Sequence, residues 1–347
     1  MIISRTPHRI SFFGGGTDYP DWYLEYGGKV LGAAIDKYCY ISLRELPPFF
    51  EHKYRIIYSK IETVVNIDEI VHPSVRETLK YFQNTLRYFD GNIGFEVHHD
   101  SDIPARSGMG SSSSFTVGLV NSLYAIAGKT ISKDNLFKEA IHIEQDLIKE
   151  NVGSQDQVWA AVGGLNYIEF LQNGKIIVKP IIIKENLLNA FSRKFMLFFT
   201  GLSRYASEVA GDKIKNLHKR KEELFRMTEL VDEAYKILTS EKEDGFTEFG
   251  KLLNETWLLK RKLSSKVTNG DIDSIYEMAV KNGAVGGKLL GAGAGGFILF
   301  YVEPENQNRV KEALKNFLQV PFNFDFLGSD IIVYKPNYFN NNNGYGK

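Results

Sequence analysis

Two carboxylates stand near the middle of the chain. Glu144 falls late in "KDNLFKEAIHIEQDLIKEN", and Asp156 follows in "NVGSQDQVWAAVGG" beyond a Gly-Ser turn. Upstream runs "IPARSGMGSSSSFTVGLVNSLYAIAG", residues 103–128, with two glycines and four consecutive serines ahead of an apolar stretch. A glycine-rich turn that opens a helix presents free backbone N–H groups and the positive end of the helix dipole. That is an anion site, best suited to phosphate. Gly108 and Gly110 let the backbone approach a ligand closely. Serine hydroxyls add donors, and one can ligate Mg²⁺. A Mg·ATP phosphotransferase needs a carboxylate to help hold the metal, and often another to orient or deprotonate the attacking hydroxyl. Alone, Glu144 reads as a surface charge and Asp156 as a helix cap.

Two more glycine-rich stretches accompany the first. In "TPHRISFFGGGTDYPDWY", residues 6–23, Asp18 follows Gly14, Gly15 and Gly16 on a loop. A carboxylate beside open backbone suits sugar hydroxyls; the competing reading is a cap for the helix after it. In "GGKLLGAGAGGFILFYV", residues 286–302, Gly291, Gly293 and Gly296 satisfy G-x-G-x-x-G. That fingerprint requires a strand before and a helix after. The pattern here predicts a helix before and a strand after, which excludes it. Asn282 and Leu289 likewise exclude a P-loop around Lys288. What is left is a turn able to close over a ligand or a neighbouring loop.

The elements that must position these residues can be read from periodicity. Short β-rich runs open the chain: "MIISRTPHRISFF", "GKVLGAAI", "CYISLRE", "YRIIYS" and "ETVVNI". Helices are predicted over 74–89, over 115–126 with Ser113 or Ser114 as N-cap, and over 134–150. "GGLNYIEFLQNGKIIVKPI" predicts a hairpin turning at Asn173-Gly174. Beyond residue 190 come a buried strand, "RKFMLFFTG", and two long charged helices, about 206–239 and 246–264. A helix over 271–282, a helix over 305–318 and a strand, "SDIIVYK", complete the pattern. A strand enters the serine run and a helix leaves it, so the run is no linker. The division expected is 1–190, 191–337 and an Asn-rich tail, 338–347.

Composition narrows the class. The chain has 347 residues, 43% apolar and 24% charged, with forty-two basic side chains matching forty-two acidic ones. Zero net charge gives no electrostatic case for binding nucleic acid. Cys39 is the single cysteine, so no internal disulfide forms and a reducing cytoplasm suits the chain. Arg5, His8 and Arg9 interrupt the first apolar run, unlike a signal peptide. No segment reaches the roughly 20 apolar residues of a membrane span.

In order, the three stretches resemble the motifs of the GHMP kinases, the family of galactokinase, homoserine kinase, mevalonate kinase and phosphomevalonate kinase. "TPHRISFFGGGTDY" is similar to the first motif, P-G-R-V-N-L-I-G-E-H-T-D-Y in galactokinase. "PARSGMGSSSS" is similar to P-x-x-x-G-L-G-S-S-A, and "GGKLLGAGAGGF" to G-x-K-x-[ST]-G-A-G-x-G-G. The resemblance implies an α/β (α+β) fold of two domains: an N-terminal ribosomal-protein-S5-like domain that binds ATP and a C-terminal ferredoxin-like domain. It implies that Arg106, Ser107, Gly108, Met109, Gly110, Ser111, Ser112, Ser113 and Ser114 wrap the ATP phosphates. Ser112 and Glu144 would hold Mg²⁺. Asp156 would take or orient the proton of the acceptor hydroxyl, and Arg9 would stabilise charge on the phosphoryl group in flight. Asp18, Gly15, Gly16 and Thr17 would face the sugar. Gly291, Gly293 and Gly295 would form the third loop.

Departures from the pattern point to the substrate. Gly15 and Gly16 replace the Glu-His of galactokinase, which implies a roomier, less acidic pocket and a larger or anionic sugar. Leu290 removes a hydroxyl from the third motif, and His8 adds a donor beside Arg9. "RISFFGGGTDYPDWY", "GSQDQVWAAVGGLNYIEF" and "FTGLSRYASEVAGD" most resemble the branch that phosphorylates the anomeric hydroxyl of a heptose 7-phosphate. A distal phosphate requires cations. Arg204, His8, Lys29, Lys260 and Arg261 are the candidates. The expected partners are ATP and a sugar phosphate, not nucleic acid or membrane, with a homo-oligomer left open. The competing readings are a kinase of a free sugar such as fucose and a non-catalytic sugar and nucleotide sensor.

Overall fold

The structure is a computed structural model, described over residues 1–47, 49–85, 93–201, 211–212, 214, 217–240 and 242–335. In chain order its elements are β1 (Ile2–Phe13), α1 (Pro20–Tyr26), β2 (Gly28–Leu46), β3 (Tyr54–Ile57), β4 (Ile61–Val64), α2 (Pro73–Thr85), β5 (Gly94–Ser101), α3 (Ser111–Ile126), α4 (Lys133–His142), α5 (Gln155–Val162), β6 (Leu165–Phe170) and β7 (Ile176–Pro180). There follow α6 (Glu185–Ser192), β8 (Phe195–Phe199), α7 (Lys221–Thr239), α8 (Phe246–Leu263), α9 (Gly270–Lys281), β9 (Ala284–Leu289), β10 (Phe297–Val302), α10 (Gln307–Ala313), β11 (Leu318–Gln319) and β12 (Asp330–Tyr334).

Two sheets organise these elements. The larger has eight strands in the order β12-β1-β2-β5-β3-β4, with β6 pairing β2 and β7 pairing β6. The smaller has four, β11-β8-β10-β9, all antiparallel. The two predicted runs at 28–45 merge into one 19-residue strand, β2, because its halves serve different neighbours. Residues 28–33 pair with β6 and residues 39–46 with β5. The stretch from 191 to 337 does not stay in one sheet: β12 returns to pair β1.

Helix α3 runs behind the larger sheet with twelve of its sixteen residues buried. Ser4 Oγ donates to the Gly118 carbonyl at 2.9 Å and Ser114 Oγ to the Pro7 carbonyl at 2.8 Å, tying the helix to β1. Phe115, Leu119 and Leu123 enter one core with Phe82, Phe137 and Trp159. A second core joins the sheets. Phe12 of β1 meets Phe191, Phe195 and Phe249 at ring separations of 6.2, 5.2 and 5.5 Å. Phe195 in turn stands edge-on to Tyr301. This aromatic junction fixes β1 against the C-terminal half.

Several boundaries differ from expectation. The helix predicted over 134–150 ends at His142 and continues as a wide π turn, Ile143–Leu147. A strand, β9, precedes the third glycine loop where a helix was expected, so the loop closes a hairpin. The helix predicted over 305–318 shortens to α10 after a 3₁₀ turn. The tail 338–347, Arg204 and the start of the helix expected at 206 lie outside the described residues.

Phe191 is fully buried among five aromatic partners. Phe191→Ala is expected to cost about 3–5 kcal/mol, measured as a fall in the urea midpoint at unchanged slope.

Candidate active site

A cavity of about 480 Å³ opens where the three glycine-rich stretches meet. Arg9 and Ser11 of β1 line it, because alternate side chains of a strand share one face. Arg9 clamps Asp156 with two hydrogen bonds, Nε to Oδ1 and Nη2 to Oδ2, both 2.8 Å. Its Nη1 donates to the Gly108 carbonyl at 2.7 Å, and its own N–H to the Met109 carbonyl at 3.1 Å. One guanidinium therefore sets the position of Asp156 against the serine loop. Asp156 sits in the first turn of α5 without capping it; the N-cap is Ser154.

The serine loop ends differently from the prediction. Helix α3 begins at Ser111, and its N-cap is Gly110, in the left-handed region at φ 75° with no capping side chain. The first-turn N–H groups, which have no partner inside the helix, thus sit at the wall formed by Ser111, Ser112 and Ser113. Arg106, Gly108 and Gly110 also line the cavity. Ser107, Met109 and Ser114 do not: Ser107 is buried beside the wall, Met109 belongs to the junction core, and Ser114 is bonded to Pro7.

The third loop packs on the second. A Cβ on Gly291 would lie 2.3 Å from Gly108 Cα, a contact only two glycines permit. Gly291 reaches the cavity; Gly293 packs on the Val267 backbone, and neither it nor Gly295 lines the wall. Lys260 of α8 donates to the Leu289 and Gly291 carbonyls, both at 2.6 Å, bracing the loop from the cavity side. Lys288 donates to the Phe12 carbonyl at 2.8 Å and lines the same wall. The sequence reading matched Lys288 to the lysine of the third motif but gave it no role at the site. Three non-glycine residues are left-handed among the described residues: Arg106, Lys149 and Ala294. All three sit in loops at this site, where backbone strain commonly collects.

The metal candidates separate. Glu144, in the π turn, is fully buried and off the cavity wall. It accepts from Ser113 Oγ and Thr116 Oγ1, each at 2.8 Å, and from Gln157. Ser112 instead donates to Glu150 at 3.3 Å, and both line the cavity. The wide turn and the left-handed Lys149 bring Glu150 round to the serine, which no straight-helix reading could show. Among the described residues no cluster of three or more His, Cys, Asp or Glu surrounds a metal-sized space. Ser112 and Glu150 are hard oxygen donors on the wall, with Glu144 behind Ser113. That set suits a cation such as Mg²⁺, which takes one or two carboxylates and completes its shell from phosphate and water.

The first motif divides too. Asp18 is buried, accepts from the Gly16 N–H at 2.8 Å and faces the cavity; the cap of α1 is Tyr19, without a side-chain bond. Gly15 and Gly16 line the wall. Thr17 does not: its Oγ1 donates to the Gly14 and Lys29 carbonyls and locks the turn. His8 points to the other face of β1 and pairs with Ser101 at 3.1 Å. Burial, and then the Arg9 charge, push its pKa down to about 3, so it carries no charge for a phosphate. Lys29 pairs with Asp232 and Arg261 with Asp273, both off the wall.

Burial pushes Glu144 up to about 7 from 4.5, against the hydrogen bonds from Thr116, Ser113 and Gln157. The folded chain then keeps a proton that the unfolded chain releases, so stability falls as pH rises from 4.5 through 7. Glu144→Gln removes that titration. In metal-free urea melts the wild type should lose on the order of 3 kcal/mol relative to Glu144→Gln between pH 4.5 and 8. Parallel pH profiles would contradict this.

Comparison with known proteins points to a family. The model of the GHMP kinases N terminal domain matches residues 74–164, and that of the GHMP kinases C terminal matches residues 242–320. A D-glycero-alpha-D-manno-heptose 7-phosphate kinase of Campylobacter jejuni is 29% identical, over 90% of this chain and 93% of its own. A bifunctional fucokinase/GDP-fucose pyrophosphorylase of Arabidopsis thaliana is 24% identical over 89% of this chain, which spans 30% of the plant protein. The crystal structure of a D-glycero-D-manno-heptose 1-phosphate kinase from Bacteriodes thetaiotaomicron superposes with a TM-score of 0.75 at 24% identity, covering 95% of this chain and 98% of that one. With both halves matched and the three glycine loops closing on one cavity, the chain belongs to the GHMP kinases.

Proposed function

We propose that this kinase transfers the γ-phosphoryl group of ATP to the anomeric hydroxyl of D-glycero-D-manno-heptose 7-phosphate. The product is the 1,7-bisphosphate, a precursor of GDP-heptose for surface polysaccharide. The observation that carries the reading is the doubly bonded Arg9–Asp156 pair, set at the cavity wall beside the first turn of α3. The Campylobacter relative supports the substrate. Among the described residues no helix is long and apolar enough to cross a membrane; we place the enzyme in the cytoplasm.

Each residue has a physical task in this reading. The first-turn N–H groups and hydroxyls of Ser111, Ser112 and Ser113 hold phosphate oxygens. Asp156 accepts the hydrogen of the attacking hydroxyl, aligning its lone pair with the phosphorus. Arg9 keeps that carboxylate in place and lends positive charge where negative charge builds up. Ser112 and Glu150, backed by Glu144, would hold Mg²⁺, which when bound offsets charge on the phosphates. Asp18 accepts from sugar hydroxyls. Lys260 and Lys288 bring cations from the C-terminal half to an anionic substrate.

Coupled ADP release over a panel of sugars should be fastest with the heptose 7-phosphate. Faster turnover of fucose, which the plant relative makes the rival acceptor, would overturn the substrate. Tight nucleotide binding with no ADP release from any sugar would point to a sensor. Asp156→Asn should lower kcat by at least about 10³-fold while Mg·AMPPNP affinity measured by calorimetry stays within a few-fold. Turnover near that of the wild type would remove Asp156 from the chemistry.

A further inference from the structure

Most buried polar side chains find a partner, so those that do not are informative. Among the described residues with a buried side-chain oxygen or nitrogen that lacks a partner, two are cavity-lining residues: Ser11, whose Oγ is unpartnered, and Gln155, whose Oε1 is. Both are more than nine-tenths buried, at 6% and 8% exposure. They come from separate elements, β1 and α5, and converge on Gly15. A carbon placed at the missing Cβ of Gly15 would lie 3.6 Å from Ser11 Oγ and 3.7 Å from Gln155 Nε2. With no side chain at position 15, a notch is left between the two polar groups. Ser11 is also the polar residue in "RISFF", between Ile10 and Phe12, which both enter the junction core.

We infer that Ser11 and Gln155 form a subsite for a carbohydrate ring hydroxyl, with Gly15 left bare to admit it. The inference rests on the proposed sugar kinase reading and names what distinguishes acceptors within it. A hydroxyl is both donor and acceptor. In the notch it donates to Gln155 Oε1 or Ser11 Oγ and accepts from Gln155 Nε2 or the Ser11 hydroxyl. Ser11 lies two residues beyond Arg9 on the same face of β1, and Gln155 immediately precedes Asp156. A sugar whose reacting hydroxyl meets Asp156 thus lays another part of its ring over the notch. Any side chain at position 15 would occupy the space, so the glycine is a requirement of the substrate. The backbone there is not left-handed, and the neighbours of an added Cβ stand at ordinary contact distance.

The test uses Ser11→Ala, Gln155→Leu and Gly15→Ala in the full chain. It employs heptose 7-phosphate and analogues each lacking one ring hydroxyl. A buried, unpaired hydroxyl is a liability in the empty enzyme. Ser11→Ala should therefore melt no lower than the wild type without ligand, yet show a KM for the sugar raised about tenfold. The KM for ATP should stay unchanged. Gly15→Ala should raise the sugar KM at least as much. One analogue should lose about tenfold in kcat/KM on the wild type and nothing further on Ser11→Ala. If the wild type turns over the sugar while Ser11→Ala and Gly15→Ala keep its KM, the subsite is wrong. A lower melting point for unliganded Ser11→Ala would make Ser11 structural and also overturn it. If the wild type turns over no sugar, the kinase reading fails first, and the unliganded melting points still show whether Ser11 is a strain on the fold.

Discussion

Arg9 is the residue on which the site hangs. Its guanidinium makes three hydrogen bonds at once, two to Asp156 and one to the Gly108 carbonyl. The pair is nearly out of solvent, with Arg9 at 6% and Asp156 at 21% side-chain exposure. A buried ion pair is not retained for stability, since apolar residues of like volume often serve a fold better. What it supplies is position. Breaking it from one side leaves the other charge stranded, at about 3–5 kcal/mol, so neither partner can drift. The aromatic junction holds β1, β1 holds Arg9, and Arg9 holds Asp156 to the loop that begins α3.

The halves of the chain are coupled through the same place. Gly291 touches Gly108, Lys260 braces Gly291 and Lys288 bonds to Phe12, so three contacts from the C-terminal half bear on the cavity. Strand β12 closes the circuit by returning to β1. A displacement of either half would therefore move the cavity wall at the first turn of α3.

Much of this was legible in the sequence, for local reasons. Glycine runs, the Asn173-Gly174 turn, and the order of Arg9, Asp18 and Asp156 carry their chemistry in near neighbours. What was not legible depends on how the chain turns. Comparison with the family motif put His8 beside Arg9 as an added donor, but strand alternation sends it to the opposite face. Serines suggested a side-chain cap, whereas a left-handed Gly110 starts the helix earlier. The π turn changes the phase of the helix before Asp156, giving Glu144 to Ser113 and Glu150 to Ser112. No periodicity announces a π turn. Ser11 and Gln155 escaped for another reason: their meaning lies in the partners they lack, which only three dimensions reveal.

The central claim is that Arg9 and Asp156 act as one unit. A double-mutant cycle on kcat/KM for the sugar tests it, using Arg9→Met, Asp156→Asn and the pair together. If they act as a unit, the double variant is about as slow as the slower single variant, because either change alone dismantles the clamp. If the two losses multiply, each residue works independently, and the clamp is not what holds the site together.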